Sequence, residues 1–182
     1  MTRFFALFAL LAVASLPASA EGGVTVVDDV GRQITLPHAP RRIVSTAPGA
    51  TEMLFAAGAG SRVIATVEFS DEPAEAKTVP RIGDSNAVDM ERVVALHPDV
   101  IVVWEGGNNA AMVERLQSLK FPLYRHKVER LHDIPTSLRR LGALADTRAA
   151  ADAAARDVEQ RLAALERRYG QLAQKPTVFL EV

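Results

Sequence analysis

Trp104 is the only tryptophan in the 182-residue chain, and it closes the run Val100-Ile101-Val102-Val103 just before Glu105-Gly106-Gly107-Asn108. An unbroken β-branched run reads as a strand covered on both faces. In open α/β sheets the carboxyl ends of such strands are where ligands bind. An indole there offers a flat apolar face suited to a macrocycle, and glycines after it let backbone approach closely. The same residue could instead fill space between sheet and helix; the glycine pair favours ligand contact. A second candidate is the turn Pro48-Gly49-Ala50-Thr51, whose lead onto a helix could hold an anion. It lacks a Gly-x-Gly-x-x-Gly pattern and a P-loop lysine, and no Ser–His–acid set is legible. An enzyme using the cleft is therefore disfavoured, and no catalytic residue is assigned. Cysteine is absent, which removes thiolate metal sites, cysteine nucleophiles and disulfides. His38, His97, His126 and His132 are scattered without the paired spacing of a ligand set, so no metal site is expected.

The elements that must position these residues alternate. Val24 to Leu36, broken by Asp28, Asp29 and Gly31, reads as a β-hairpin. Ile43-Val44 starts a short buried strand, and a helix begins near Thr51-Glu52 and stops at Gly58 and Gly60. Val63 to Val67 is a second strand, followed by a polar loop from Phe69 to Ser85. Asp89 is placed to cap a helix over Met90 to Leu96, and His97-Pro98-Asp99 ends it. After the Val100–Val103 strand, Asn108 or Asn109 caps a helix over Ala110 to Leu119. Leu123-Tyr124 lies in another strand, and Ile134 to Leu144 forms a further helix. Strands alternating with helices predict an α/β fold, a parallel doubly wound lobe.

Arg148 to Gln174 has few breakers and places Val158, Leu162, Leu165, Tyr169 and Leu172 at spacings of 4, 3, 4 and 3. That is one apolar stripe on a helix about 40 Å long. It exceeds what a lobe of this size needs. After Pro176 a new strand is expected over Thr177 to Val182, the first of a second α/β lobe. The chain therefore reads as truncated, with the second lobe missing.

Residues 1–20 read as an export signal peptide: Arg3, an apolar run from Phe4 to Leu16, and a small-residue site at Ala18-Ser19-Ala20. The run falls short of the roughly 20 apolar residues of a membrane span. Cleavage leaves a soluble periplasmic chain from Glu21, with no cysteine for a lipid anchor. Acidic side chains number 22 against 21 basic ones, a balance that does not suggest nucleic acid or an anionic membrane as partner.

Several pieces together resemble the periplasmic substrate-binding proteins with a rigid helical backbone, which serve importers of siderophores, haem and corrinoids. They are Arg42-Ile43-Val44-Ser45 with Pro48 and Thr51-Glu52; Ser70-Asp71 with Pro73; Glu91 to Leu96 with Pro98-Asp99; and Trp104 with Gly106-Gly107-Asn108. The Trp-Glu-Gly-Gly-Asn string points to the cobalamin-binding branch. The resemblance implies an N-terminal lobe over 21–147, a backbone helix over 148–175 and the opening strand of a second lobe over 176–182. It also implies a monomer that carries a corrinoid such as cobalamin to an inner-membrane ABC permease, with no cofactor of its own. Trp104, Phe69, Gly106, Gly107, Pro48 and Ser85 match ligand-contact positions, and Glu91 matches the glutamate that docks on permease arginines. Phe69 stands for a cleft tyrosine and so lacks its hydroxyl, Ser85 for a cleft tryptophan, and Glu72 for a second tyrosine. Haem would need a tyrosine or histidine ligand; Tyr124 could reach the cleft but suits packing in a strand. A siderophore would need cleft arginines, for which Arg81 or Arg125 could serve. The order is corrinoid, then siderophore, then haem.

Overall fold

The structure, a computed structural model, describes residues 22–171 and 177–179. The expected leader, Leu172 to Gln174 of the expected long helix, and Leu180 to Val182 of the expected last strand lie outside these residues. Among the described residues no helix is long and apolar enough to cross a membrane.

Strands β1 (Val24–Val27) and β2 (Gln33–Leu36) pair antiparallel as the expected hairpin. The Asp28 carboxylate accepts the amides of Val30 and Arg32 at 3.1 and 2.7 Å, which closes its turn. The main sheet is all parallel, with β3 (Ile43–Ser45), β4 (Val63–Ala65), β5 (Val100–Trp104) and β6 (Leu123–His126) in the order β4-β3-β5-β6. The chain winds outward from β3 to β4 in one direction and from β5 to β6 in the other. The crevice between β3 and β5 is therefore the point where strand order reverses.

Alternation along each strand sorts the core into two layers. Ile43, Val100 and Val102 face Leu54, Leu138, Leu141 and Leu144, which come from α1 (Pro48–Ala56) and α4 (Asp133–Leu144). Val44, Ile101 and Val103 face Val93, Met112 and Leu116, which come from α2 (Met90–Ala95) and α3 (Ala110–Ser118). The sheet is thus doubly wound, as the alternation of elements predicts.

Local differences have local causes. Helix α1 begins at Pro48, not at Thr51, because proline suits the first helical position where no amide partner is needed. Strand β4 ends at Ala65; Thr66 instead bridges to Arg81. Asn109, not Asn108, caps α3, accepting the amides of Ala111 and Met112. Asp89 caps α2 as expected, accepting the Arg92 amide at 3.0 Å.

Helix α5 (Arg148–Tyr169) starts where the sequence places it. Its 22 residues span about 33 Å. The first half lies close on α4: a Cβ at Gly142 would collide with the Cβ of Ala151, and Ala151 and Ala155 are buried. Gly58, at φ +81°, likewise lets the α1 turn meet Ala150. Beyond Ala163 every residue of the helix is exposed, including Leu165 and Tyr169. The helix stops at Gly170, before the expected Gln174. Thr177 to Phe179 lie in no strand and are exposed. A strand forms only by pairing, and these three residues have no ladder partner among the described ones.

Candidate functional site

The carboxyl ends of β3 and β5 meet at the switch point, and Asn108 holds them together. Its Oδ1 accepts from the Trp104 amide at 2.6 Å and from Thr46 Oγ1 at 2.7 Å. Its Nδ2 donates to the carbonyls of Thr46 and Ser85, both at 2.8 Å. A primary amide has two donors and one acceptor oxygen with two lone pairs, and all are used. One side chain thus pins the end of β3, the end of β5 and the Ser85 loop. The resemblance included Asn108 in its motif without giving it this role.

Val100 to Val103 are fully buried, whereas Trp104, the next residue of the same strand, is 44% exposed. The strand ends in a turn in which Gly106 takes φ +81° with open space around it. A Cβ at Gly107 would run into the Trp104 ring. The glycine pair therefore serves the indole first: Gly106 turns the chain and Gly107 leaves room for the ring. Trp104 is thus no core filler.

Phe69 is 80% exposed at φ +63°. A bulky residue rarely adopts that conformation, and its neighbours explain it. Val67 is buried on one side and Ser70 on the other, so the two residues between them, Glu68 and Phe69, are turned outward. Ser70 joins a buried hydroxyl network with Thr66 (2.9 Å), which contacts Thr51 (2.6 Å), which in turn donates to Ser45 (2.9 Å). Phe69 follows β4 and Trp104 ends β5, two strands separated by β3 in the sheet. Pro48 and Ser85 are half-buried at the same edge. The six sequence-assigned positions stand at or follow the ends of β3, β4 and β5 or, for Ser85, accept from Asn108 there, and Trp104 lines a groove among the described residues.

That groove has a volume of about 690 Å³ and runs between α1, α4 and α5. Trp104, Ile134, Leu138, Val158 and Leu162 give it apolar walls, and Glu52, Asp157 and Arg161 supply charge. A larger groove of about 1150 Å³ follows the β4 edge past Phe55, Glu72 and Glu75. Glu72 is exposed there, next to Pro73.

The groove beside Trp104 also contains His126, which sits opposite Trp104 in the β5–β6 register. Behind it lies a buried hub that turn-forming residues gave no reason to expect. Asp29, in the turn after β1, accepts from Ser137 Oγ at 2.6 Å, Tyr124 Oη at 3.0 Å, the Lys127 amide at 3.1 Å and Arg140 at 3.2 Å. His126 Nδ1 lies 3.0 Å from the same carboxylate. Burial pushes the Asp29 carboxyl up, but the hydrogen bonds from His126, Ser137 and Lys127 outweigh it and hold it below the usual carboxylate range. Tyr124 is pushed far above its ordinary value by burial and by the Asp29 charge. It is a packed donor, not a cleft ligand. The sequence signal was the second aspartate of Asp28-Asp29, since one suffices for the turn.

The arginines considered for an anionic ligand already have partners within the lobe, although Arg125 Nε is buried without one among the described residues. Arg81 donates to the carbonyls of Ser70, Ala76 and Val79 and pairs with Asp71. Arg125 pairs with Glu105 at 2.6 Å. His97 is exposed at φ +44° in the turn after α2. Glu91 is exposed in the first turn of α2. Among the described residues no group of three or more His, Cys, Asp or Glu could hold a metal ion.

A doubly wound lobe with its candidate site at the switch point, continued by one long helix, offers a ligand a crevice at the carboxyl ends of its strands. The chain belongs to the periplasmic binding protein family, whose model it matches over residues 43–181. It is 34% identical over 155 residues to the vitamin B12-binding protein of Vibrio parahaemolyticus, covering 80% of this chain and 56% of that one. The structure of the periplasmic vitamin B12 binding protein of Vibrio cholerae superposes with a TM-score of 0.70 at 32% identity, covering 73% of this chain and 52% of that one. A periplasmic haem binding protein from Pseudomonas aeruginosa superposes with a TM-score of 0.61 at 25% identity, covering 71% and 50%. The chain spans about half the length of the relatives it matches.

Proposed function

We propose that this chain belongs to the periplasmic substrate-binding component of an ABC importer and captures a corrinoid such as cobalamin for delivery to the membrane permease. The observation that carries this reading is Trp104, a half-exposed indole held at the switch point by Asn108 and Gly107. A flat apolar ring on a rigid edge stabilises a macrocycle by stacking and burial. Phe69 adds a second outward ring, and Pro48, Ser85, Gly106 and Gly107 complete the wall. The vitamin B12-binding relatives support the corrinoid choice. Arg81 and Arg125, already engaged, argue against a polyanionic siderophore. In this reading residues 1–20 direct export and are removed, 21–147 form the N-terminal lobe, and Arg148–Tyr169 form the backbone helix. Glu91 docks on permease arginines, where close charge pairs are worth about 1.5–7 kcal/mol. The family resemblance supports that assignment, and the exposed carboxylate on the first turn of α2 is compatible with it.

The test is calorimetric titration of the chain from Glu21 with cyanocobalamin and, separately, with haemin. One lobe covers only part of the ligand, so the expected result is weak binding of cyanocobalamin that weakens at least a further tenfold in Trp104→Ala. Tight haemin binding with no response to cyanocobalamin would replace the corrinoid with haem.

A further inference from the structure

His126 is 95% buried by its 5% exposure, yet its imidazole lines the groove beside Trp104. Its Nδ1 is committed to the Asp29 carboxylate at 3.0 Å, with Ser137 Oγ 3.2 Å away and itself donating to Asp29. A carboxylate only accepts, so Nδ1 carries a proton, and in the neutral tautomer that this contact selects the lone pair lies on Nε2. Among the described residues both hydrogen-bond contacts of the ring run through Nδ1, on a residue that lines the groove. The groove thus holds an oriented imidazole beside the apolar walls of Trp104, Ile134 and Leu138, with Glu52, Asp157 and Arg161 also on its lining. A carboxylate that fixes the far nitrogen is the usual way a protein sets which nitrogen a histidine presents.

We propose that His126 is a ligand-binding residue whose Nε2 accepts a hydrogen bond from an amide N–H of the bound molecule and disfavours a carboxylate at that point. The proposal rests on the corrinoid reading, since a corrinoid rim carries carboxamide arms whereas haem carries propionates. Neutral Nε2 matches an N–H donor and sets a lone pair against a carboxylate oxygen. A second proton on the imidazole reverses both preferences, because Nε2 then donates. Acid therefore weakens the amide ligand and strengthens the acid ligand. Other groups share the surroundings: Asp29 from the β1–β2 turn, Arg140 from α4, Glu52 from α1, and Asp157 and Arg161 from α5. A control at His126 itself separates its proton from theirs.

Cyanocobalamin and each of its monocarboxylic acids, with one carboxamide hydrolysed, are titrated into the chain from Glu21 between about pH 5 and 8. The expected result is that the amide form binds several-fold more tightly at the alkaline end, and that for one of the acids the preference shrinks or inverts toward the acidic end. His126→Phe should flatten both profiles, while His126→Gln, which keeps an acceptor, should retain the amide preference without the pH dependence. Melting curves check that each variant is folded. Wild-type chain that binds neither form overturns the corrinoid reading and this inference with it. Binding whose pH profile persists in a folded His126→Phe overturns the inference alone. If both variants fail to fold, the wild-type profiles still decide: parallel slopes for every acid and the amide overturn it.

Discussion

Two polar clusters meet the carboxyl edge of the sheet, and they are built to opposite ends. Asn108 spends its whole hydrogen-bonding capacity on Thr46, Trp104 and Ser85. That cluster is closed, and its effect is shape: two strand ends and a loop held in one place, with the indole set out from the edge. The Asp29 cluster gathers Tyr124, His126, Ser137, Arg140 and the Lys127 amide, and sets His126 on the groove. A satisfied network makes a scaffold, while a network that reaches a groove offers an interaction.

The largest expected effect comes from opening the second cluster. Asp29→Ala removes the carboxylate that five donors share, and stability should fall by about 3–5 kcal/mol in denaturant unfolding. The pH dependence has a definite sign. Because the folded-state carboxyl is held below its ordinary value, its contribution is present above that value and is lost as pH falls through the folded one. Wild-type chain should therefore lose stability below about pH 4, and Asp29→Asn should flatten that limb. An acid limb unchanged in Asp29→Asn would show that the hub carries no net charge stabilisation.

Asn108→Ala should cost about 2–3 kcal/mol, since it leaves the Trp104 amide and Thr46 without partners at a partly buried place. Emission from Trp104, the only tryptophan, should shift at the same time, because the indole loses its anchor. Gly107→Ala is a narrower break. Its Cβ would meet the ring, so the loop must yield at about 1–3 kcal/mol, with a change in Trp104 emission but little in the acid limb.

Smallest of all is the contrast within α5. Leu165→Ser, on the exposed stretch, should change stability by less than about 0.5 kcal/mol. Ala155→Leu, in the half pressed against α4, should cost about 1–3 kcal/mol through overpacking. Equal effects at the two positions would mean that the distal stripe is covered in solution.

The reading from sequence succeeded where the signal was local. The Val100–Val103 run buries itself in any parallel sheet, Asp89 caps whatever helix follows it, and the stripe on α5 has its own period. It failed where partners are far apart in the chain. Asn108 was taken as a possible helix cap, because an asparagine before a helix looks the same whether it caps or reaches 62 residues back to Thr46. His126 was one of four scattered histidines, and its partner Asp29 lies 97 residues away. Phe69, Ser85 and Pro48 were assigned by resemblance alone, and their exposure depends on what their neighbours bury.

By itself, then, the sequence determined the element order, the two-faced core of β5, the long helix beginning at Arg148 and the exposed indole as the leading candidate. Periodicity, caps and breakers act over a few residues and need no fold to be legible. Tertiary structure alone decided which polar groups end up satisfied. It used Asn108 and Arg81 within the lobe, paired Arg125 with Glu105 while leaving its Nε without a partner among the described residues, gathered five donors on Asp29, and set His126 on the groove. A hydrogen bond needs its partner within about 3 Å, and which distant residue fills that place is set only when the strands are in register.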